Sequence, residues 1–372
     1  MTVGANAKFS GRRYYLLGGT SDVSYSVNRG VRMGRFHCSG YHLIGWIGEI
    51  IGYKSGLALT EAQIRDFLNQ EEGFADVLPV DLTRMISLRG EEFEDIIRWL
   101  LYCVGSIDDP NSMPPLFRVT SKFKHNQKLF QDATRISELF VQFLNTSLER
   151  RPSDGSRLDP TNFLLDASRR YGEFGLQVGV KLIESFNLNL FTSPWGRIRN
   201  IEWKDIAKLD DLFKKEGLKT HHGDYFDQRF INYLHRNFDH IDRVNWRKFE
   251  GLAAEFLHNA GLHVEIGPGR NDGGIDIRAW TESEHAGVPP AILVQCKRQA
   301  DKVERVIVKA LWADIQHENA SSGLIVTTSA LSPGAEADCR ARGYPIFQAN
   351  RSSLKKWIEA LRIPWTGVFL AE

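Results

Sequence analysis

The chain has 372 residues, 42% hydrophobic and 25% charged. That is the make-up of a soluble globular protein, and it is too long for one hydrophobic core, since single cores rarely exceed ~250–300 residues. With 47 Lys plus Arg against 46 Asp plus Glu the formal charge is +1, which excludes a uniformly basic nucleic-acid coat but not a local patch. Cys38, Cys103, Cys296 and Cys339 form no CxxC pair, so neither a disulfide framework nor a cysteine-rich zinc site is expected, and a reducing cytoplasm is the natural compartment.

The N-terminus, MTVGANAKFSGRR, lacks the apolar core of a signal peptide. Its first ~55 residues are rich in glycine, aromatics and arginine and show little helical period. Met1 to Arg35 carries Lys8, Arg12, Arg13, Arg29, Arg32 and Arg35 against Asp22 alone. This excess reads either as solvated arginines on a glycine-rich fold edge or as an anion- or nucleic-acid-binding surface. Arg13 to Leu17 and Val23 to Val27 alternate like short strands. Tyr41 to Leu59 is the most apolar stretch, but Glu49, Lys54 and its glycines exclude a membrane span, which needs ~20 mostly apolar residues.

From Thr60 the pattern turns helical. Thr60 with Gln63 makes a capping box for Glu61 to Asn69. Phe93, Ile96, Ile97, Leu100, Leu101 and Val104 form one apolar helix face. Asp109-Pro110-Asn111 and Pro114-Pro115 mark a loop, and further helices are predicted over Gln127 to Glu149, Asn162 to Ser185 and Trp195 to Gly217. Lys219 to Asp224 reads as a linker, and its adjacent His221 and His222 lack the spacing of metal ligands. The chain divides into a mixed region over residues 1–120, a helical sensor or regulatory region over 121–220, and a third domain over 224–372.

That third domain begins with a short helix, Phe226 to Arg236, and then a helix over Trp246 to Ala260 stopped by Gly261. Strands follow at His263 to Ile266, Ile275 to Ala279 and Ala291 to Lys297. Next come a helix over Val303 to Asn319, a strand at Gly323 to Thr328, a helix at Pro333 to Arg342, a strand at Pro345 to Gln348 and a helix at Arg351 to Leu361. The order αβββαβαβα predicts a mixed sheet with helices packed on it. Strand alternation turns Asp276 away from Ile275 and Ile277, and puts Gln295 and Lys297 on one face with Cys296 on the other. An acid from one strand and a Gln/Lys pair from its neighbour can therefore converge, with Glu250 of the preceding helix in reach. Asp272, in the loop GPGRNDGG, reads as a turn residue, and Cys296 as a small core residue. Glu255, about 140° around the helix from Glu250, is expected in solvent. Asn319, Ser321, Thr327 and Thr328 read as loop and strand ends.

Phe249-Glu250, Asp272-Gly-Gly-Ile-Asp276, Gln295-Cys-Lys297 and the Gly323 to Ser329 strand together resemble the Mrr-like restriction endonuclease domain, a branch of the PD-(D/E)XK nucleases. The resemblance covers about Asp224 to Leu361. It implies a PD-(D/E)XK αβββαβ core and a divalent ion, Mg²⁺ with Mn²⁺ as a substitute, for hydrolysing DNA phosphodiester bonds in restriction or antiviral defence. Asp276 and Gln295 would ligate the ion and Glu250 would complete or support the site. Gln295 stands where the wider superfamily has a carboxylate, so this site holds one fewer negative charge. Lys297 would orient water or stabilise charge on the phosphorane. A DNA-binding module with a degenerate nuclease fold and a structure-specific repair nuclease are the competing readings.

Arg298, Lys302, Arg305 and Lys309 form a basic run that either tracks DNA phosphates or is a solvated helix face. From Asp224 to Glu372 there are 18 basic and 19 acidic residues, so any grip on DNA is a local stripe. Residues 1–220 show no Walker A motif and resemble no known family. They are expected to select the target or to gate the nuclease in response to a protein or small-molecule trigger. Tyr14, Tyr15, Tyr41 and Trp46 either stack on a flipped base or fill a core. Cutting both strands takes two sites, so at least a dimer is expected.

Overall fold

The computed structural model describes residues 34–362 apart from 112, 150–157, 197–202, 215, 219, 270–273 and 282–286. The strands expected at Arg13 to Leu17 and Val23 to Val27, and the aromatics Tyr14 and Tyr15, lie outside these residues. The described chain forms two compact units, one of residues 34–102 and 107–196, the other of residues 103–106 and 203–362. Together they make a mixed α+β protein, helical in its N-terminal part and built on a mixed sheet in its C-terminal part. Among the described residues no helix is long and apolar enough to cross a membrane.

The first unit opens with strand β1 (Arg35–Ser39) and helix α1 (Gly40–Ser55), followed by β2 (Leu57–Ala58), α2 (Glu61–Asn69), β3 (Met85–Arg89) and α3 (Gly90–Cys103). Helix α1 corrects the expectation of little helix before Thr60. Gly40, Gly45, Gly48 and Gly52 dilute its propensity, but Leu43, Ile47 and Ile51 recur at i, i+4, i+8 and are fully buried. Ser39 caps its start by accepting from the His42 N–H, and Gly56, left-handed at φ 70°, closes its end. The Thr60–Gln63 capping box forms as the spacing requires, with both reciprocal bonds present. Strands β1 and β3 pair antiparallel from Arg35↔Arg89 to Ser39↔Met85. The apolar face expected on α3 is entirely buried. Tyr41 is 62% exposed, whereas Trp46 is half-buried against Phe36, with ring centroids 6.0 Å apart.

Helices α4 (Pro115–Thr120), α5 (Gln127–Glu149) and α6 (Thr161–Thr192) complete that unit around a core of Ile136, Phe140, Phe163 and Leu182. Helix α6 runs further than the sequence pattern implied and breaks at Gly172, whose φ 61°, ψ −147° is reachable essentially by glycine alone. The helix predicted over Trp195 to Gly217 does not form. Within the described residues that stretch holds only β4 (Ala207–Lys208) and α7 (Leu209–Lys214). Trp203, which would have continued the helical period, instead meets the His222 ring edge-to-face at 4.7 Å and lies under the Arg229 guanidinium, 5.5 Å from its ring centre. Those tertiary contacts override the local pattern.

The second unit continues through α8 (Gln228–Arg236), α9 (Trp246–Asn259), β5 (His263–Ile266), β6 (Ile277–Trp280), β7 (Ile292–Lys297), α10 (Arg305–Glu318), β8 (Ser322–Thr327), α11 (Pro333–Arg342), β9 (Ile346–Ala349) and α12 (Arg351–Leu361). The sheet order is β5-β6-β7-β8-β9, antiparallel across β5–β6–β7 and parallel across β7–β8–β9. A parallel pair cannot be joined by a hairpin, and here α10 and α11 supply the two crossovers. Leu293 and Ile325 pack with Val308, Leu311 and Ile315 of α10. Helix α12 stacks Trp357 on Phe256 of α9, with ring centroids 4.1 Å apart. This is the five-stranded mixed sheet expected of a PD-(D/E)XK nuclease domain.

Candidate active site

The sheet brings the ends of β6 and β7 side by side. Ile277 pairs with Val294, and one step earlier the Asp276 N–H donates to the Val294 carbonyl at 3.0 Å. Asp276 therefore lies across from Gln295 and Cys296, just ahead of β6 rather than within it. Ile275 and Ile277 are in the core, while the Asp276 carboxylate accepts the Cys296 N–H at 2.6 Å. That charge-assisted bond ties the carboxylate to the neighbouring strand. Two glycines shape the loop leading in. Gly274 is left-handed at φ 95°, and a Cβ there would stand 3.2 Å from Nε2 of Gln295, so the backbone passes close over that amide. Gly269, at φ 83°, sits against Arg247 and Trp246 in the same way.

The far end of β7 is fixed by its parallel neighbour. Lys297 pairs with Thr327, whose hydroxyl donates to the Lys297 carbonyl at 2.8 Å, and Thr328 bonds both backbone groups of Gln299. The two threonines thus serve as strand-end fasteners, in keeping with their sequence reading.

Glu250 comes from α9, whose start is capped by Asn245 accepting from the Arg247 N–H at 2.8 Å. It is buried with 4% of its surface exposed, as are Asp276 at 9% and Gln295 at 5%. Its Oε2 accepts from Nη1 of Arg247 at 2.6 Å, one helical turn away. The sequence reading did not single out Arg247; an arginine at i−3 from a buried acid is the signal that could have found it.

Charge at the site is legible from Cys296. Burial pushes its thiol pKa well above the ordinary value, Asp276 and Glu250 push it further, and Lys297 pulls the other way. All three charged side chains therefore act on one sulfur, and together with burial they favour its neutral thiol. The Gln295 Oε1 is buried and has no hydrogen-bond partner. Leaving an amide oxygen so costs about 1–3 kcal/mol. A hard cation beside it would recover that cost, and an amide oxygen with a carboxylate oxygen is a donor set that suits Mg²⁺ or Mn²⁺. Among the described residues no three His, Cys, Asp or Glu side chains cluster as metal ligands.

Other predicted residues divide. Lys302 and Arg305 are exposed. Arg298 is exposed too but donates to the Asp242 carbonyl at 2.7 Å, and Lys309 is paired with Asp338 at 3.7 Å. Asn271 and Asp272 lie outside the described residues. Glu255 corrects its expected exposure. It is 5% exposed, and its Oε2 accepts from the backbone N–H groups of Asp224, Tyr225 and Phe226 at 3.0, 2.6 and 3.1 Å. The incoming chain covers the helix face that would otherwise meet solvent. His222 is held between Trp203 and Asp205, 3.7 Å from the latter's Oδ1.

Residues 241–358 match the Mrr_cat family model, described as restriction endonuclease. This part of the chain is an Mrr-like restriction-endonuclease domain. It accounts for roughly a third of the sequence. A solved structure of "MspJI Restriction Endonuclease in Complex with 27-mer Oligonucleotide" aligns at 18% identity with a TM-score of 0.25, covering 52% of this chain and 44% of that one. The chain thus spans less than half the length of that enzyme's chain. No curated protein matches it.

Proposed function

We propose that the Mrr-like domain is a metal-dependent endodeoxyribonuclease working in restriction or antiviral defence. The observation that carries this is the unpartnered, buried Gln295 Oε1 on β7, across from the Asp276 carboxylate at the head of β6, within a restriction-endonuclease domain. Asp276 and Gln295 would hold the divalent ion, with Glu250 supporting them from α9. Such an ion supplies Lewis acidity, lowering the pKa of an attacking water and stabilising the leaving oxygen. The Cys296 N–H keeps the Asp276 carboxylate oriented before substrate arrives. Lys297, half-buried at the end of β7, offers its ammonium to the charge that develops on the phosphorane. Lys302 and Arg305 would meet the DNA backbone, which supplies affinity without reading sequence. The region before residue 224 is assigned to target recognition or gating, and cleavage of both strands calls for two copies of the site.

The test is cleavage of modified and unmodified plasmid and phage DNA in Mg²⁺ and in EDTA. Cutting should need the metal and should fall about 10²–10³-fold in Asp276→Ala and Lys297→Ala, the scale of removing a preorganised electrostatic group. Folded protein that binds DNA but cuts none of these substrates, with or without lysate from infected cells, would identify a binding module instead.

A further inference from the structure

Glu250, buried on α9, is an acid that could add a second carboxylate to the ion, yet its Oε2 already accepts a 2.6 Å bond from Arg247. Both partners are largely buried, with side chains 5% and 16% exposed, so water screens the pair poorly. Arg247 is also packed in place. A Cβ on Gly269 would stand 3.0 Å from its Nη1 and 3.3 Å from its Cζ, so the backbone before Asp276 runs in close contact with the guanidinium. Its backbone is fixed as well, through the Asn245 cap at 2.8 Å. The guanidinium is therefore built into the site.

The charges follow. Among the described residues Asp276 and Glu250 contribute two negatives, Arg247 and Lys297 two positives, and Gln295, where a carboxylate would have given a third negative, contributes none. Ligation through Oε2 would make Arg247 surrender a short ion pair, and ligation through Oε1 would set the metal against a guanidinium held 2.6 Å from the other oxygen, so either way a buried cation faces the ion with repulsion poorly screened.

We propose that Arg247 reserves Glu250, so that the pair is an electrically neutral positioning unit and Asp276 and Gln295 are the ion's protein ligands. This rests on the reading of the Asp276–Gln295 strand ends as the metal site and goes beyond it in giving Glu250 no bond to the ion. A site with one carboxylate binds its ion weakly in free protein and completes its shell with water and substrate phosphate.

The experiment is Mn²⁺ titration of the full-length protein by calorimetry, without DNA, beside thermal unfolding to establish that each variant is folded. Removing both charges in Arg247→Gln/Glu250→Gln should leave Mn²⁺ affinity within about threefold of wild type, because a neutral pair is exchanged for a neutral pair. Arg247→Gln alone should tighten it about tenfold, by freeing a carboxylate and removing a nearby cation. Arg247→Lys, which keeps the charge, should stay near wild type. A loss of about tenfold or more in the folded double variant would show Glu250 to be a ligand and overturn the proposal. Unchanged affinity in Arg247→Gln would overturn it also. Asp276→Ala separates the two levels: wild-type protein taking up no Mn²⁺, or Asp276→Ala binding it as well as wild type, overturns the metal site itself. Binding abolished in Asp276→Ala with the double variant weakened overturns only the role given to Arg247.

Discussion

At the scale of the residue, the buried polar side chains divide by whether a partner was built for them. Glu250 has Arg247, Asp276 has the Cys296 N–H, and Gln295 Oε1 has no partner among the described residues, which is why the proposed metal is placed there. Lys54 on α1 is a different case. It is 2% exposed, its ammonium lies 5.6 Å from the Phe191 ring centre, and desolvation lowers its pKa to about 7. Because the folded pKa lies below the unfolded value, the unfolded chain binds more protons between pH 7 and about 10.5, and stability rises with pH across that window. Below about pH 7 the lysine is charged in both states and folding bears the full cost of burying it. Lys54→Met should therefore raise the melting temperature more at pH 6 than at pH 9.5, as measured by circular dichroism; an equal gain at both would remove the titration as its cause.

At the scale of the element, local signals and covering chain compete. The capping box at Thr60, the apolar face of α3 and the bounds of α11 and α12 follow their sequence patterns because each depends on neighbours within a turn or two. Helix α9 shows the limit. Its sequence period placed Glu255 outward, but residues 224–226 return over that face and deliver three N–H groups to one carboxylate oxygen. Glu255→Ala strands those donors and should cost about 2–4 kcal/mol, read as a lower urea midpoint, with Glu255→Gln losing less because one acceptor remains. An alanine variant as stable as wild type would mean that water replaces the carboxylate. Helix α1 shows the converse, where four glycines hid a helix that three buried aliphatic residues hold.

At the scale of the whole molecule, a formal charge of +1 leaves no general attraction for DNA, so any grip on it must come from placed cations. Of the four in the predicted run, Lys302 and Arg305 are exposed with no ion pair among the described residues, while Lys309 is paired with Asp338. If Lys302 and Arg305 each neutralise a phosphate, Lys302→Ala/Arg305→Ala should flatten the slope of log affinity against log salt by about 2, since each contact contributes about 0.9. Lys309→Ala should leave the slope as it is. Fluorescence anisotropy on a short duplex measures both, and an unchanged slope in the double variant would move the DNA track elsewhere.

The order of strands and helices in the Mrr-like domain, and the presence of Asp276, Gln295 and Lys297 at two strand ends, were determined by the sequence alone. Alternation along a strand and the spacing of a motif are local properties that a linear text carries. Only the tertiary structure decided that Arg247 takes Glu250, that Glu255 is roofed by incoming chain, and that Trp203 leaves its helical period for His222 and Arg229. Each of those depends on which distant backbone comes to cover a polar or aromatic side chain. Burial, which sets the strength of every charge in the site, exists only once the chain has closed over it.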